Sequence, residues 1–479
     1  MYWKGVEMSR QEYSSNMEKE LSKWPVISLI LAMIVLYGIG LYAIVSVLLQ
    51  NPLAVAIVLQ FLGALWATII AYSKLITALI ISLILITMVL MVFILKLIAK
   101  VGKEVTVVLF YSGPVVLLFI GALSFLVGVF ILAIVFIALG ALFLFLVIRW
   151  KNKIRLAGSL IELSAKAVSD EPEVIGVSMI FSIFAFISAI IGIAGTLWVY
   201  SISSSYFDSE IIGGILTFLY DLIYAWVIYG AMYFSNGIIV AIADDWYRSP
   251  SEDQAWLAKG TKRVLKSVNP IIKLGFIMAL LDTVARYARN IRMEQAKKNP
   301  VLIVALIFFK IASALAYGLA RFVTFFALPA MVIEGKGFKD AIRRSWDLIR
   351  EHFIDIIIYA SGVGSVYMFF IFIMILLYGA SGYLVGAFLL VPILGISKDL
   401  MVMAGLLTAA GFLIFGFIPA YVMVRPLQIA YKTLLYEYAL DREHRFTLPS
   451  RIPEEVKEEF EAIIAKPPPV KTIFRQNNF

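Results

Sequence analysis

Three ionisable residues lie inside long apolar runs: Asp221 in 211–243, and Lys310 and Arg321 in 301–333. A charge at membrane depth costs several kcal/mol unless it is paired, hydrated or able to reach an interface. Asp221 lies ten residues into its run and Lys310 nine into its own, so an Asp221–Lys310 or Asp221–Arg321 pair is geometrically allowed. One reading makes these residues a polar pathway or the binding site of a charged or zwitterionic solute. The other makes them an interhelical pin, or side chains that snorkel from helices longer than the bilayer is thick. Asp282 and Asp355, near segment ends, are weaker members of the same set.

Basic residues supply the second kind of chemistry. Lys259, Lys262, Arg263 and Lys266 fall at i, i+3, i+4 and i+7, one face of a helix over 255–268. In 338–353, Asp340–Arg344 and Arg343–Asp347 have ion-pair spacing, and Phe338, Ile342, Ile349 and Phe353 supply apolar contacts. A weaker version covers 155–168. Helices of this kind lie on a membrane surface with basic side chains near anionic headgroups, so membrane lipids are the expected partners. The plainer reading is a solvated connector.

Catalytic constellations are absent from the sequence. His352 and His444 fall in polar segments, and no HExxH, GxSxG or GxxxxGK[ST] pattern occurs. Zero cysteines remove disulfides and thiolate chemistry. Asp244-Asp245 could attract a divalent cation but reads better as a solvated pair. No catalytic residue, metal or cofactor is expected, and a non-enzymatic protein is the reading adopted.

The elements that must position these residues follow from composition. Of 479 residues, 62% are apolar and 15% charged, with a mean hydropathy of +0.94. A soluble domain carries about 45–50% apolar and about 25% charged residues, so the solvent for most of this chain is lipid. A secreted enzyme, a nucleic-acid-binding domain and a disordered scaffold are excluded. The net charge of +9 calls for no polyanionic partner, because inward-facing loops collect Lys and Arg.

Charge-free runs locate helices at 26–49, 53–72 and 75–95, and 105–148 reads as two helices turning between Gly121 and Gly128. The division expected is a polar tail over 1–25, too mixed in charge for a cleaved signal, then a bundle of about five helices over 26–148. A second membrane domain covers 149–440, with spans at 174–200, 211–243, 301–333, 354–378 and 400–424. The pieces 274–281 and 384–396 are too short to span alone, and a crossing over 269–292 is favoured over a re-entrant segment. A soluble tail over 441–479 holds a short helix with Val456, Phe460, Ile463 and Ile464 on one face. Segments 149–173, 244–273 and 334–353 hold five, six and five Lys/Arg, against none in 201–210. The basic group and the C-terminal tail are therefore expected in the cytoplasm of a cell-membrane protein. The fold expected is all-α and polytopic, with about nine to eleven transmembrane helices. Helix breakers at Pro329, Ser361–Ser365, Pro419 and Pro426 mark places where unwound backbone could bind a solute.

One stretch carries a family likeness. In Phe325–Phe353 a span ends in a Pro-containing turn with Glu and Gly, and an Ala-x-x-x-Ser-x-x-Leu helix then enters the next span; the residues are Pro329, Glu334, Gly337, Ala341, Ser345 and Leu348. This resembles the membrane domain found beside some glycerophosphodiester phosphodiesterases. It also resembles a group of uncharacterised prokaryotic multi-pass proteins, whose terminal Leu-Tyr-x-Tyr-Ala matches Leu435–Ala439. More distantly, 255–285 followed by Gly335–Ala341 is similar to the choline transporter-like family. The likeness covers roughly 155–445. It implies no hydrolysis, since no phosphodiesterase catalytic domain is present, and it raises transport. Two functions remain: a passive or secondary carrier of a small polar or lipid-like solute, and a non-transporting scaffold that grips lipid headgroups.

Overall fold

The computed structural model describes residues 24–50, 73–207, 209–249, 257–291, 300–351, 353–395 and 397–444, with scattered positions over 56–71 and Lys457. Most of the 53–72 run, His352, the polar N-terminal tail and the helix expected near 456–464 lie outside the described residues, as do the side chains of Asp355 and His444. All regular elements among the described residues are helical, and nine helices are long and apolar enough to cross a membrane. The protein is an all-α, multi-pass membrane protein.

Among the described residues the first three complete helices are α1 (Trp24–Gln50), α2 (Ser73–Leu126) and α3 (Phe130–Arg149). Where two separate helices were expected over 75–95 and the start of 105–148, α2 runs unbroken for 54 residues. Its charged stretch Lys96–Glu104 consists mostly of helix-compatible residues, and α4 (Lys151–Asp170) crosses it there. Glu162 Oε1 accepts the Lys103 backbone N–H at 2.8 Å, and a Cβ on Gly158 would stand 2.7 Å from the Lys103 Cα. The turn into α3 falls at Gly128, whose φ of +83° suits glycine.

The remaining helices build the main core. They are α5 (Glu173–Phe207), α6 (Glu210–Arg248), α7 (Leu257–Lys266), α8 (Val268–Asn290) and α9 (Pro300–Val323). After these come α10 (Ala327–Val332), α11 (Phe338–Glu351) and α12 (Phe353–Leu384). A π-helical turn, Val385–Leu390, and α13 (Val391–Leu394) follow, and α14 (Met401–His444) closes the described chain. The short piece 384–396 is thus an extension of α12, ended at Gly395. α8 is one continuous helix rather than a short re-entrant piece.

Two sets of expected breaks are corrected. α12 stays helical through Ser361–Ser365, and α14 through Pro419 and Pro426. Neighbouring helices re-satisfy the carbonyls that a proline leaves free, so membrane helices tolerate them. The break before Pro329 is real and falls earlier, at Thr324–Phe326. The main core gathers α4, the second half of α6, α10 and the second half of α14; α4 is buried over most of its length rather than along one stripe. A smaller core joins α1 and α6 around Leu36, Tyr220 and Val227.

Candidate functional site

Asp221 sits half-buried on α6, between α5 and α8. Its Oδ1 accepts from Thr196 Oγ1 at 2.6 Å and its Oδ2 from the Tyr287 hydroxyl at 2.7 Å. Among the described residues it has no Lys or Arg within ion-pair distance. Arg286, which precedes Tyr287 on α8, is engaged by Asp282 at 3.2 Å, one turn away. Aromatic residues neighbour Asp221: Tyr220 and Tyr224 on α6, and Tyr287, whose ring Phe218 meets edge-on at 5.1 Å between centroids.

Two glycines explain how those tyrosines fit. A Cβ on Gly192 would lie 2.6 Å from the Tyr224 ring, and one on Gly195 would lie 1.9 Å from the Tyr220 hydroxyl. Both rings therefore rest directly on the α5 backbone. Tyr220 then donates to the Leu36 carbonyl at 3.2 Å, and Tyr37 pairs with Ser188 at 2.6 Å, so α1 closes the shell.

The other two intramembrane candidates lie elsewhere. Lys310 donates to the carbonyls of Arg289 and Ile291 at 3.2 and 2.8 Å, neutralising the C-terminal end of α8. Arg321 stacks on Tyr317 at 5.7 Å from the ring centroid. Neither pairs with Asp221.

One buried cation escaped the sequence analysis. Arg425 falls just past the charge-free run 400–424, yet it lies in the interior of α14 and is 8% exposed. Its Nε and Nη2 donate to Asn236 Oδ1 at 3.0 and 2.7 Å, Nη2 also reaches the Met232 carbonyl at 3.2 Å, and the guanidinium lies 3.8 Å above the Phe181 ring centroid. Leu427, Ile429 and Ala430 just beyond it were the available signal.

The motif residues form a latch at the other end of α6. Glu334 receives Arg344 Nε and Lys336 Nζ, each at 3.1 Å, and the Tyr436 hydroxyl. Ser345 accepts the Phe326 N–H at 3.0 Å, satisfying the broken backbone before α10; Pro329 is buried in α10, Ala341 packs fully buried, and Gly337 precedes α11. Arg263 pairs with Asp244 at 2.5 Å and donates to the carbonyls of Val332 and Ile333. Burial works against its charge, but Asp244 and Asp245 outweigh that and hold its pKa above the ordinary arginine value. Lys259 reaches Asp245 at 3.2 Å, whereas Lys262, Lys266 and Arg343 are exposed. Arg248 ties the fully buried Glu437 and Asp441 to α6, the second at 2.6 Å.

A family model described as plasma-membrane choline transporter matches residues 134–443. No curated protein matches the chain. The family match bears on the choline transporter-like resemblance alone.

Proposed function

This chain belongs to the plasma-membrane choline transporter family, and we propose that it carries a small solute with a quaternary ammonium head, taken at Asp221. The observation that supports this is a half-buried carboxylate with two hydroxyl donors, aromatic neighbours and no basic partner among the described residues. A quaternary ammonium group cannot donate a hydrogen bond. It is held by opposite charge, which Asp221 supplies, and by the negative faces of aromatic rings, for which the partly exposed Tyr224 and Tyr287 are the candidates.

Asp221 lies eleven residues from the Glu210 end of α6, about 16 Å along the helix. The opposite end is tied by the Arg248, Arg263 and Glu334 clusters. This supports entry from the Glu210 end, with the latched, Lys/Arg-rich end and the C-terminal tail in the cytoplasm. The test is uptake of radiolabelled choline into liposomes containing the purified protein. Saturable uptake that Asp221→Asn abolishes, with the variant eluting as a folded species, is the expected result. Absence of saturable uptake for choline and related organic cations in well-folded protein would overturn the proposal.

A further inference from the structure

Two cations belong neither to the Asp221 shell nor to the latch. Arg321, at the end of α9, is exposed, and Lys432, on α14, is half-buried. Tyr317, Arg321 and Phe325 follow one another at intervals of four residues, with Arg321 on the Tyr317 ring and the Lys432 ammonium 4.8 Å from the Phe325 centroid. α14 and the end of α9 thus bring two positive charges onto the rings four residues either side of Arg321, Phe325 standing in the break just past α9, and the two charges act on each other. Neither has a carboxylate within ion-pair distance among the described residues. Like charges held together without an acid repel unless an anion bridges them.

Their place in the fold indicates the anion. Lys432 lies one turn from Tyr436, the hydroxyl donor to Glu334, so the pair stands at the depth of the latch. Away from the pair, the outer face of α9 is apolar and exposed, with Leu315 and Leu319 59% and 62% exposed, so this helix borders lipid. A basic pair between helices, level with a polar end and on a helix that borders lipid, matches a phospholipid headgroup. By contrast, Lys259, Arg263 and Arg344 are already engaged by acidic residues of the protein. We propose that Arg321 and Lys432 together bind the phosphate of an anionic phospholipid in the leaflet at the latched end. This site is independent of whether Asp221 takes a solute.

The test uses the full chain in nanodiscs of phosphatidylcholine with and without phosphatidylglycerol, reading retained lipid by native mass spectrometry and stability by thermal unfolding. Arg321→Gln/Lys432→Gln should weaken phosphatidylglycerol binding on the order of 30-fold, from the contribution of each basic residue near an anionic surface, with unfolding in phosphatidylcholine alone unchanged. Equal phosphatidylglycerol retention by the double variant would overturn the proposal. If that variant fails to fold, Arg321→Gln alone, at an exposed position, should weaken binding about fivefold, and unchanged binding again overturns it. Inorganic phosphate is added to wild type in phosphatidylcholine discs: no stabilisation supports a lipid ligand, whereas stabilisation as large as that from phosphatidylglycerol assigns the pair to free phosphate and refutes the lipid.

Discussion

Gly195→Ala tests the packing that brings the tyrosines to Asp221. The new Cβ would lie 1.9 Å from the Tyr220 hydroxyl oxygen, 2.4 Å from Cζ and 2.9 Å from Cε1. Ordinary contact is about 3.5 Å, so the ring must retreat by about 1.5 Å or α5 and α6 must separate. Tyr220 is 3% exposed and its hydroxyl is committed to the Leu36 carbonyl, which leaves little free space. Overpacking costs about 1–3 kcal/mol and an unpaired buried hydroxyl about 1–3 kcal/mol more. The expected loss is thus about 2–4 kcal/mol, since the two costs partly share one ring movement. The assay is thermal unfolding of purified protein in detergent, followed by size-exclusion fluorescence. Gly214→Ala is the control: it has no neighbour within 4 Å and should leave Tm unchanged or slightly raised. Tyr220→Leu should recover much of the loss in the Gly195→Ala background, because it removes the colliding atoms. A Gly195→Ala protein as stable as wild type, or a double variant with no recovery, would refute the close-approach argument.

The remaining predictions concern the buried charges and the broken backbone. Arg263→Gln strands Asp244, which is 5% exposed, and should destabilise by about 3–5 kcal/mol, seen as a lower Tm and faster proteolysis near α7. A double-mutant cycle between Arg425→Gln and Asn236→Leu should give a coupling of about 1.5–3 kcal/mol; additive effects on unfolding would show that the pair contributes nothing. Ser345→Val leaves the buried Phe326 N–H without its acceptor and should cost about 1–3 kcal/mol, whereas Ser345→Thr should keep most of the stability.

Hydropathy and charge spacing revealed most of the spans, since the cost of exposing polar backbone to lipid leaves few alternatives to helices. They misjudged continuity. Lys96–Glu104 looks like a loop because charges usually end a span, but α4 supplies polar and small partners there, Glu162 and Gly158. Arg425 is missed for the same reason: a charge there ends the 400–424 run, although Asn236, fifteen residues past Asp221 on α6, accommodates it. Asp221 was legible as a lone acid in an apolar run. Its partners were not, because Thr196 and Tyr287 are ordinary residues whose relation to it depends on the α5–α6–α8 packing. The candidate ion pair failed because Lys310 is used instead by the open carbonyls at the end of α8. The Pro329–Ser345 stretch was legible as a unit, but its role emerged only with the contacts: Ser345 caps a backbone break, and Glu334 gathers α10, α11 and α14.

These charges also constrain a route for any cation that reaches Asp221. Along α6, Asn236 lies about 22 Å beyond Asp221, and there Arg425 fills the seam between α5, α6 and α14. A unit positive charge within about 5 Å of that guanidinium would be repelled by about 3 kcal/mol at an effective dielectric of about 20. The α8 and α9 side of α6 is lined with aromatic rings, and Arg321 stacks on Tyr317 there. Trp226 meets Phe276 edge-on at 5.1 Å, Tyr229 tilts against Tyr233 at 6.3 Å, and the Tyr229 hydroxyl meets that of Tyr317 at 3.0 Å. Aromatic faces attract a cation by about 0.5–1 kcal/mol each at accessible sites. For a carrier of cations, electrostatics therefore disfavours the Arg425 seam, and leaves Arg425 to hold α14 against α6.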